Sequence, residues 1–235
     1  MIDTLYDQLL KLYGPRGWWP ISLSPNKPNS LPYHQGDYSI PTNDLQRLEI
    51  AIGAILTQNT AWTNVQKALD GLAAADLFGV EAITQAATAD LSLAIRSAGY
   101  FNQKAGYLQE FVGFLAQQPF SQLQQLPLSE ARKALLSVKG IGAETADCIL
   151  LYALGHPIFV VDAYTKRFLQ AMGLVGERAS YAQMQEIFHQ AIPPHLQQYQ
   201  EFHALLVEHG KRHYSKRPYG LEDPLLKLVQ TKKNC

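Results

Sequence analysis

Residues 135–164 read LLSVKGIGAETADCILLYALGHPIFVVDAY. Apolar residues at helical spacing run up to Ser137 and Val138, Lys139-Gly140-Ile141-Gly142 interrupts them, and a new helix begins at Ala143. Two glycines separated by one residue permit positive φ angles and let a ligand approach the backbone closely. The helix that follows opens with unpaired amides, from about Gly142 to Thr145, and with the positive end of its dipole, so a phosphate fits there without a lysine. By itself such a turn is most often a helix corner with glycines for packing. Asp162 follows the apolar run Ile158-Phe159-Val160-Val161 and precedes another helical pattern. Alone it is an N-cap, because its carboxylate can accept first-turn amides.

Outward from this stretch the chain is helical almost throughout. Apolar spacing predicts helices over residues 2–12, 45–57, 60–72, 80–87, 88–97, 102–117, 128–137, 143–154, 162–172, 181–191 and 196–210. Residues 45–57 are apolar on most faces, which marks a buried helix. Gly14-Pro15-Arg16-Gly17 closes the first helix, Trp18-Trp19-Pro20 follows, and residues 21–42 are rich in Pro, Ser and Asn, as a long loop. Ile158 to Val161 is strand-like in composition but has no partner run, so no sheet is expected.

Composition bounds the function. The chain has 235 residues, 47% hydrophobic and 17% charged, which suits one or two packed lobes and excludes a disordered chain. No apolar run approaches the roughly 18 residues that span a bilayer. Asp3, Asp7 and Lys11 break up the apolar start, which is unlike a secretory signal, so the expected location is the cytosol, or the nucleus where there is one. The net charge is zero, which weighs against nucleic-acid binding, yet Lys211 to Arg217 (KRHYSKR) carries four basic residues and no acid. That segment is either a solvated turn or a phosphate-contacting patch led by Lys211 and Arg212. Two cysteines, Cys148 and Cys235, are too few for a disulfide framework or a four-cysteine metal site. His203, His209 and His213 lie near one predicted helix, but only the last two share a face and Gly210 is expected to end the helix between them, so no metal site is expected.

Leu135, Gly140-Ile141-Gly142, Thr145-Ala146 and Val160-Val161-Asp162 together resemble the pattern of the helix-hairpin-helix DNA glycosylases, the superfamily that includes endonuclease III. The resemblance runs from about residue 45 to 210. Leu56-Thr57-Gln58-Asn59-Thr60 is similar to the family's early segment, whose glutamine enters the duplex near the damaged site, with Gln58 as the match. Gly99 to Ala105 resembles another shared loop-to-helix segment, and His209-Gly210 the end of the last long helix. The resemblance implies an all-α fold of two lobes with a cleft between them, one over residues 43–155 carrying the hairpin and one combining residues 1–42 with 156–235. It implies double-stranded DNA with a damaged base as the partner, a monomer, and Asp162 as the catalytic group. The hairpin residues Lys139, Gly140, Ile141, Gly142 and Thr145 would hold the DNA backbone.

An aspartate suits that chemistry. Breaking the bond between base and deoxyribose passes through an oxocarbenium-like sugar, which a nearby carboxylate stabilises. Bifunctional relatives carry a lysine two positions after the second glycine, whose amine forms a Schiff base and leads to strand cleavage. Glu144 stands there in this chain, which implies a monofunctional glycosylase; Lys139 lies before the first glycine and does not substitute. Endonuclease III also binds an iron–sulfur cluster after its His-Gly, where this chain has Tyr214 and Tyr219, so no cofactor is expected. An alkali cation held by hairpin carbonyls would leave no sequence signature.

The base is less closely specified. Trp18-Trp19-Pro20 is either a hydrophobic plug or a stacking wall for a flipped-out base, with Gln58 and Glu144 nearby. An indole face attracts cationic alkylated purines. With the Leu-Thr-Gln-Asn-Thr segment, Lys-Gly-Ile-Gly and the absent cluster cysteines, Trp-Trp-Pro resembles the 3-methyladenine DNA glycosylase III subfamily, which implies excision of alkylated purines such as 3-methyladenine. Two features depart from it: residues 21–42 are longer, and Ala163 follows the aspartate where that subfamily has lysine. Alternatives are a glycosylase for mismatched or oxidised bases, a DNA-binding protein without catalysis, and an unrelated helical scaffold.

Overall fold

The computed structural model describes residues 2–21, 33–39 and 41–226. Its elements are α1 (Ile2–Tyr13), α2 (Asp44–Leu56), α3 (Trp62–Ala74), α4 (Val80–Gln85), α5 (Thr88–Ala94), a 3₁₀ turn (Arg96–Ala98), α6 (Phe101–Gln117), α7 (Phe120–Gln125), α8 (Leu128–Leu136), α9 (Ala143–Cys148), a π-helical turn (Ile149–Ala153), α10 (Ala163–Ala171), α11 (Tyr181–Ala191) and α12 (Leu196–His213). No strand occurs among the described residues. The long loop expected over 21–42 falls largely outside them, as does Cys235.

The chain divides into two compact units, Trp19–His156 and Met1–Trp18 with Pro157–Cys235. The first boundary falls between Trp18 and Trp19, not between Thr42 and Asn43 as the resemblance implied. Packing explains the difference. Trp19, Pro20 and Ile21 are buried, the Trp19 ring lies 5.4 Å from Trp62 and 5.5 Å from Tyr152, and His34 Nε2 bonds the Trp19 carbonyl at 2.9 Å. All of these partners belong to the unit Trp19–His156.

That unit is built around α2, on which every residue from Leu48 to Leu56 is buried. Asn43 caps it, accepting from the Gln46 amide. Gly53 leaves room for Trp19: a methyl there would lie 3.1 Å from the indole nitrogen. Helix α7 was not foreseen; it is a short turn pair entered through Pro119, with only Phe120 and Leu123 buried, too few apolar positions to set a helical period. The helix expected over 143–154 changes to π-helical geometry after Cys148.

In the other unit α1 and α10 pack on α12. Helix α12 is buried along Tyr199–Val207 and runs on to His213. Gly210 therefore does not end the helix. It is a close-contact residue, since a methyl there would lie 2.3 Å from Cβ of Tyr164. Phe159 stacks on Phe188 at 3.8 Å, and both meet Phe202 edge-on. The extended run before Asp162 needs no sheet, because side chains of α11 satisfy its backbone. His189 accepts from the Phe159 amide, Gln185 donates to the Phe159 carbonyl, and Tyr181 accepts from the Val161 amide.

Candidate nucleic-acid interface and active-site carboxylate

Gly140 has φ +91°, and a methyl on it would lie 2.2 Å from the Tyr107 ring on α6. Only glycine fits both demands. Val138 and Ile141 are buried and anchor the turn, and the Ile141 amide donates to the Val138 carbonyl at 3.1 Å. Gly142 is the N-cap of α9 with no capping side chain, so the first-turn amides remain available to a ligand. Lys139, Gly142 and Glu144 are exposed. Thr145 is not: it is 5% exposed, and its hydroxyl accepts from Gln58 Nε2 at 3.0 Å. Its side chain serves the hairpin, so a DNA-backbone role rests on the amides and Lys139.

Gln58 Nε2 also donates to the Gly140 carbonyl at 2.9 Å. The side chain expected to enter the duplex thus braces the hairpin, while its neighbour Asn59 stands exposed at the tip of the turn with φ +53°. The turn is held from below by Lys104, whose ammonium donates to the Leu56 and Ala98 carbonyls and to Thr60 Oγ1 at 2.7–2.9 Å. Burial pushes that amine down to about 8. Arg132 on α8 fixes the hairpin helices, donating through Nε and an Nη to the two carboxylate oxygens of the fully buried Asp147 on α9, at 2.7 and 3.2 Å. The Val138 and Gly140 carbonyls each accept a hydrogen bond.

In the other unit Asp162 is the N-cap of α10. Its Oδ1 accepts from the Thr165 amide and the Thr165 hydroxyl, both at 2.7 Å. Among the described residues Oδ2 has no hydrogen-bond donor, and the side chain is half-buried. The cap and an outward carboxylate oxygen therefore coexist. The negative charge of Asp162 acts on two groups of α12, His203 and Lys211. Burial pushes the His203 imidazole below its usual value against that charge. Both groups also meet Trp18: His203 lies edge-on to the indole at 6.2 Å, and Lys211 Nζ sits over the ring 5.2 Å from its centroid. Trp18 is 9% exposed. Glu201 on α12 holds the chain just before it, accepting from the Arg16 and Gly17 amides. Trp18, Asp162 and Lys211 are thus brought together in one unit. Trp19 and Pro20 are core residues of the other, which favours the plug for Trp19. Arg212 is engaged, paired with Glu208 at 2.7 Å and stacked over Tyr13.

Beyond α12 a buried polar hub closes the fold. Asp223 accepts from Tyr214 OH at 2.6 Å, from the Leu225 amide at 2.8 Å and from His209 Nε2 at 3.0 Å. Tyr13 OH bonds the other His209 nitrogen at 2.8 Å. Burial raises the Asp223 carboxyl, but the bonds from His209 and Tyr214 outweigh it and hold the group below its ordinary value. Sequence reasoning missed Asp223, Glu201, Arg132, Asp147 and Lys104. Of these only Asp147 carries a local signal, a charge within the apolar run Ala146-Asp147-Cys148-Ile149; the other four each have a polar sequence neighbour. Among the described residues no group of three or more His, Cys, Asp or Glu side chains could hold a metal, and no helix is long and apolar enough to cross a membrane.

Comparison with known proteins converges on one lineage. Residues 52–194 match the HhH-GPD superfamily of base excision DNA repair proteins. The chain is 37% identical over 222 residues to the Methanocaldococcus jannaschii protein named "Putative DNA repair glycosylase MJ1434", covering 92% of this chain and 90% of that one. Among solved structures, the H. pylori 3-methyladenine DNA glycosylase MagIII bound to 1,N6-ethenoadenine aligns with a TM-score of 0.67 at 29% identity, over 90% of this chain and 94% of that one. An endonuclease III–DNA complex aligns with a TM-score of 0.74 at 18% identity over 100% and 97%, a likeness of fold.

Proposed function

Because the chain belongs to the HhH-GPD superfamily of base excision DNA repair proteins, we propose that it is a monofunctional DNA glycosylase that removes alkylated purines through Asp162. That it is a DNA glycosylase of base excision repair follows from the family and its relatives. The observation that carries the finer reading is the carboxylate of Asp162, fixed through Oδ1 by Thr165, in the same unit as the indole of Trp18.

The chemistry divides among few groups. The C1′–N bond breaks with its electron pair leaving on the base, and Oδ2 of Asp162 stabilises the positive charge that grows on the sugar. Water then adds to C1′ and loses a proton, with the carboxylate placed to orient it. An alkylated purine is already a good leaving group, so one carboxylate suffices. Trp18 supplies an aromatic surface for the flipped base. The amides of the first turn of α9 and Lys139 hold the backbone phosphates, Gln58 keeps the hairpin in shape, and exposed Asn59 is the residue of that turn placed to enter the duplex.

Glu144 supports hydrolysis over lyase chemistry, because a carboxylate at the position of the catalytic lysine forms no Schiff base. A chain without cluster cysteines closes its C-terminal region with the Asp223 hub in place of an iron–sulfur cluster, and it acts as a monomer on double-stranded DNA.

The test is base release from methylated DNA, with products separated by chromatography, for the wild type beside Asp162→Asn. Release of 3-methyladenine or another alkylated purine by the wild type alone is expected. Full turnover by the variant refutes the role of Asp162. Borohydride added to wild type on abasic DNA should trap nothing; a covalent adduct overturns the monofunctional assignment.

A further inference from the structure

We propose that Lys104 is a positioning residue for damage recognition: its buried ammonium fixes the turn that presents Asn59, so the chain's preference for damaged over intact duplex depends on the charge of this one side chain. The inference rests on the reading of that turn as the segment that enters the duplex.

Two exposed tips of the unit Trp19–His156 carry unfavourable backbone. Asn59 has φ +53° and Tyr100 has φ +46°, and both residues are exposed. Residues other than glycine hold such angles where their surroundings fix them. The group that reaches both tips is the Lys104 ammonium on α6, which is 2% exposed. It donates to the Leu56 carbonyl at 2.7 Å, to Thr60 Oγ1 at 2.8 Å and to the Ala98 carbonyl at 2.9 Å. Leu56 and Thr60 bracket the turn that carries Asn59, and Ala98 lies two residues before Tyr100. The Thr60 hydroxyl joins the two segments again by donating to the Ala98 carbonyl. Gln58 links the same turn to the hairpin through the Gly140 carbonyl.

This bonding demands a cation. An ammonium has three N–H donors and here meets three oxygen acceptors, whereas a neutral amine has two donors and a lone pair. On deprotonation one oxygen loses its donor, or the Thr60 hydroxyl turns to the amine and leaves the Ala98 carbonyl. Either change loosens the turn beside Asn59. The first-turn amides of α9 and Lys139, which grip any duplex, stay as they are. Burial brings the amine down to about 8, so the charge is lost within a range that a binding assay reaches. Glu49 of α2, Lys67 and Asp70 of α3, Arg96 of the 3₁₀ turn, and Tyr107 and Glu110 of α6 lie on the elements packed around it, but burial and not a neighbouring charge is the cause of the shift.

The experiment measures the affinity of wild type, Lys104→Met and Asn59→Gly for two duplexes of one sequence, intact and carrying a tetrahydrofuran abasic analogue, from about pH 7 to 9.5. Wild type should prefer the abasic duplex, and that preference should fall as pH rises through about 8. Lys104→Met should lose on the order of tenfold on the abasic duplex alone and show no such pH step. Stability separates positioning from packing. The folded chain gives up the Lys104 proton near 8 and the unfolded chain near 10.5, so over that interval wild type should gain stability relative to Lys104→Met while its preference falls. Should Lys104→Met fail to fold, Thr60→Val, which removes one acceptor of the ammonium, should lower the same ratio of affinities. An unchanged ratio in these variants, or equal loss on both duplexes, overturns the proposal. Asn59→Gly keeps the backbone and removes the side chain. If it loses the preference while Lys104→Met keeps it, only the inference falls; if it keeps the full preference, or if wild type has none, the reading of the turn falls as well.

Discussion

Replacing Gly140 with alanine places a methyl group where the structure has no room, and the cost divides into two parts that can be measured separately. The backbone part comes from φ +91°, which an L side chain adopts at a cost of about 1–2 kcal/mol. The packing part comes from Tyr107, whose Cγ, Cδ1 and Cδ2 would lie 2.2, 2.4 and 2.6 Å from the new carbon, against the roughly 3.5–4.0 Å that carbon contacts prefer. The ring must move by more than an ångström, which costs about 1–3 kcal/mol. The total of about 2–5 kcal/mol is smaller than the stability of most domains, so the variant should fold with a displaced turn. Urea unfolding and affinity for an abasic-site duplex at fixed salt give the two readouts. Gly140→Ala should lower both. Adding Tyr107→Ala removes the overlap and leaves the φ penalty. The double variant should therefore be more stable than the sum of the two single losses implies, by about 1–3 kcal/mol. Additivity to within about 0.5 kcal/mol would refute the claim that Tyr107 is what excludes a side chain at Gly140.

Three further outcomes follow from the other unit. Asp223→Ala removes the acceptor of three hydrogen bonds in the buried hub; a loss of about 3–5 kcal/mol is expected in calorimetry or urea unfolding, and a loss under about 1 kcal/mol would mean the hub contributes little. Because the folded Asp223 carboxyl titrates below its ordinary 3.8, the unfolded chain takes up that proton first as pH falls. The stabilisation is whole above about pH 4 and disappears as acid carries the pH through the folded value. Asp223→Ala should lack this portion of the acid sensitivity, and an unaltered acid profile would contradict it. Asp162→Asn keeps an oxygen for the Thr165 amide, so it should change stability by only a few tenths of a kcal/mol, whereas Asp162→Ala loses the cap and about 1 kcal/mol. Both should lose excision, and equal destabilisation of the two would show that Oδ1 is not a working cap.

The sequence by itself determined the helical class, the hairpin at Lys139 to Gly142, Asp162 at a helix start, and the glutamate where a lyase has lysine. These are local features: an apolar period, a glycine pair and a cap residue each declare themselves within a few positions. Tertiary structure decided what local reading leaves open. Trp18 and Trp19 are neighbours in sequence but belong to different units, because each indole buries itself against separate aromatic and histidine partners. Gln58 turns to the hairpin instead of outward, since the Gly140 carbonyl and the Thr145 hydroxyl, more than 80 positions away, offer it two acceptors. Gly210 continues a helix that a glycine usually ends, because Tyr164 occupies the space of a side chain. The buried charges Glu201 and Asp223 each follow a polar residue in the sequence, as surface residues do. Only the fold brings each the donors that offset the cost of leaving water.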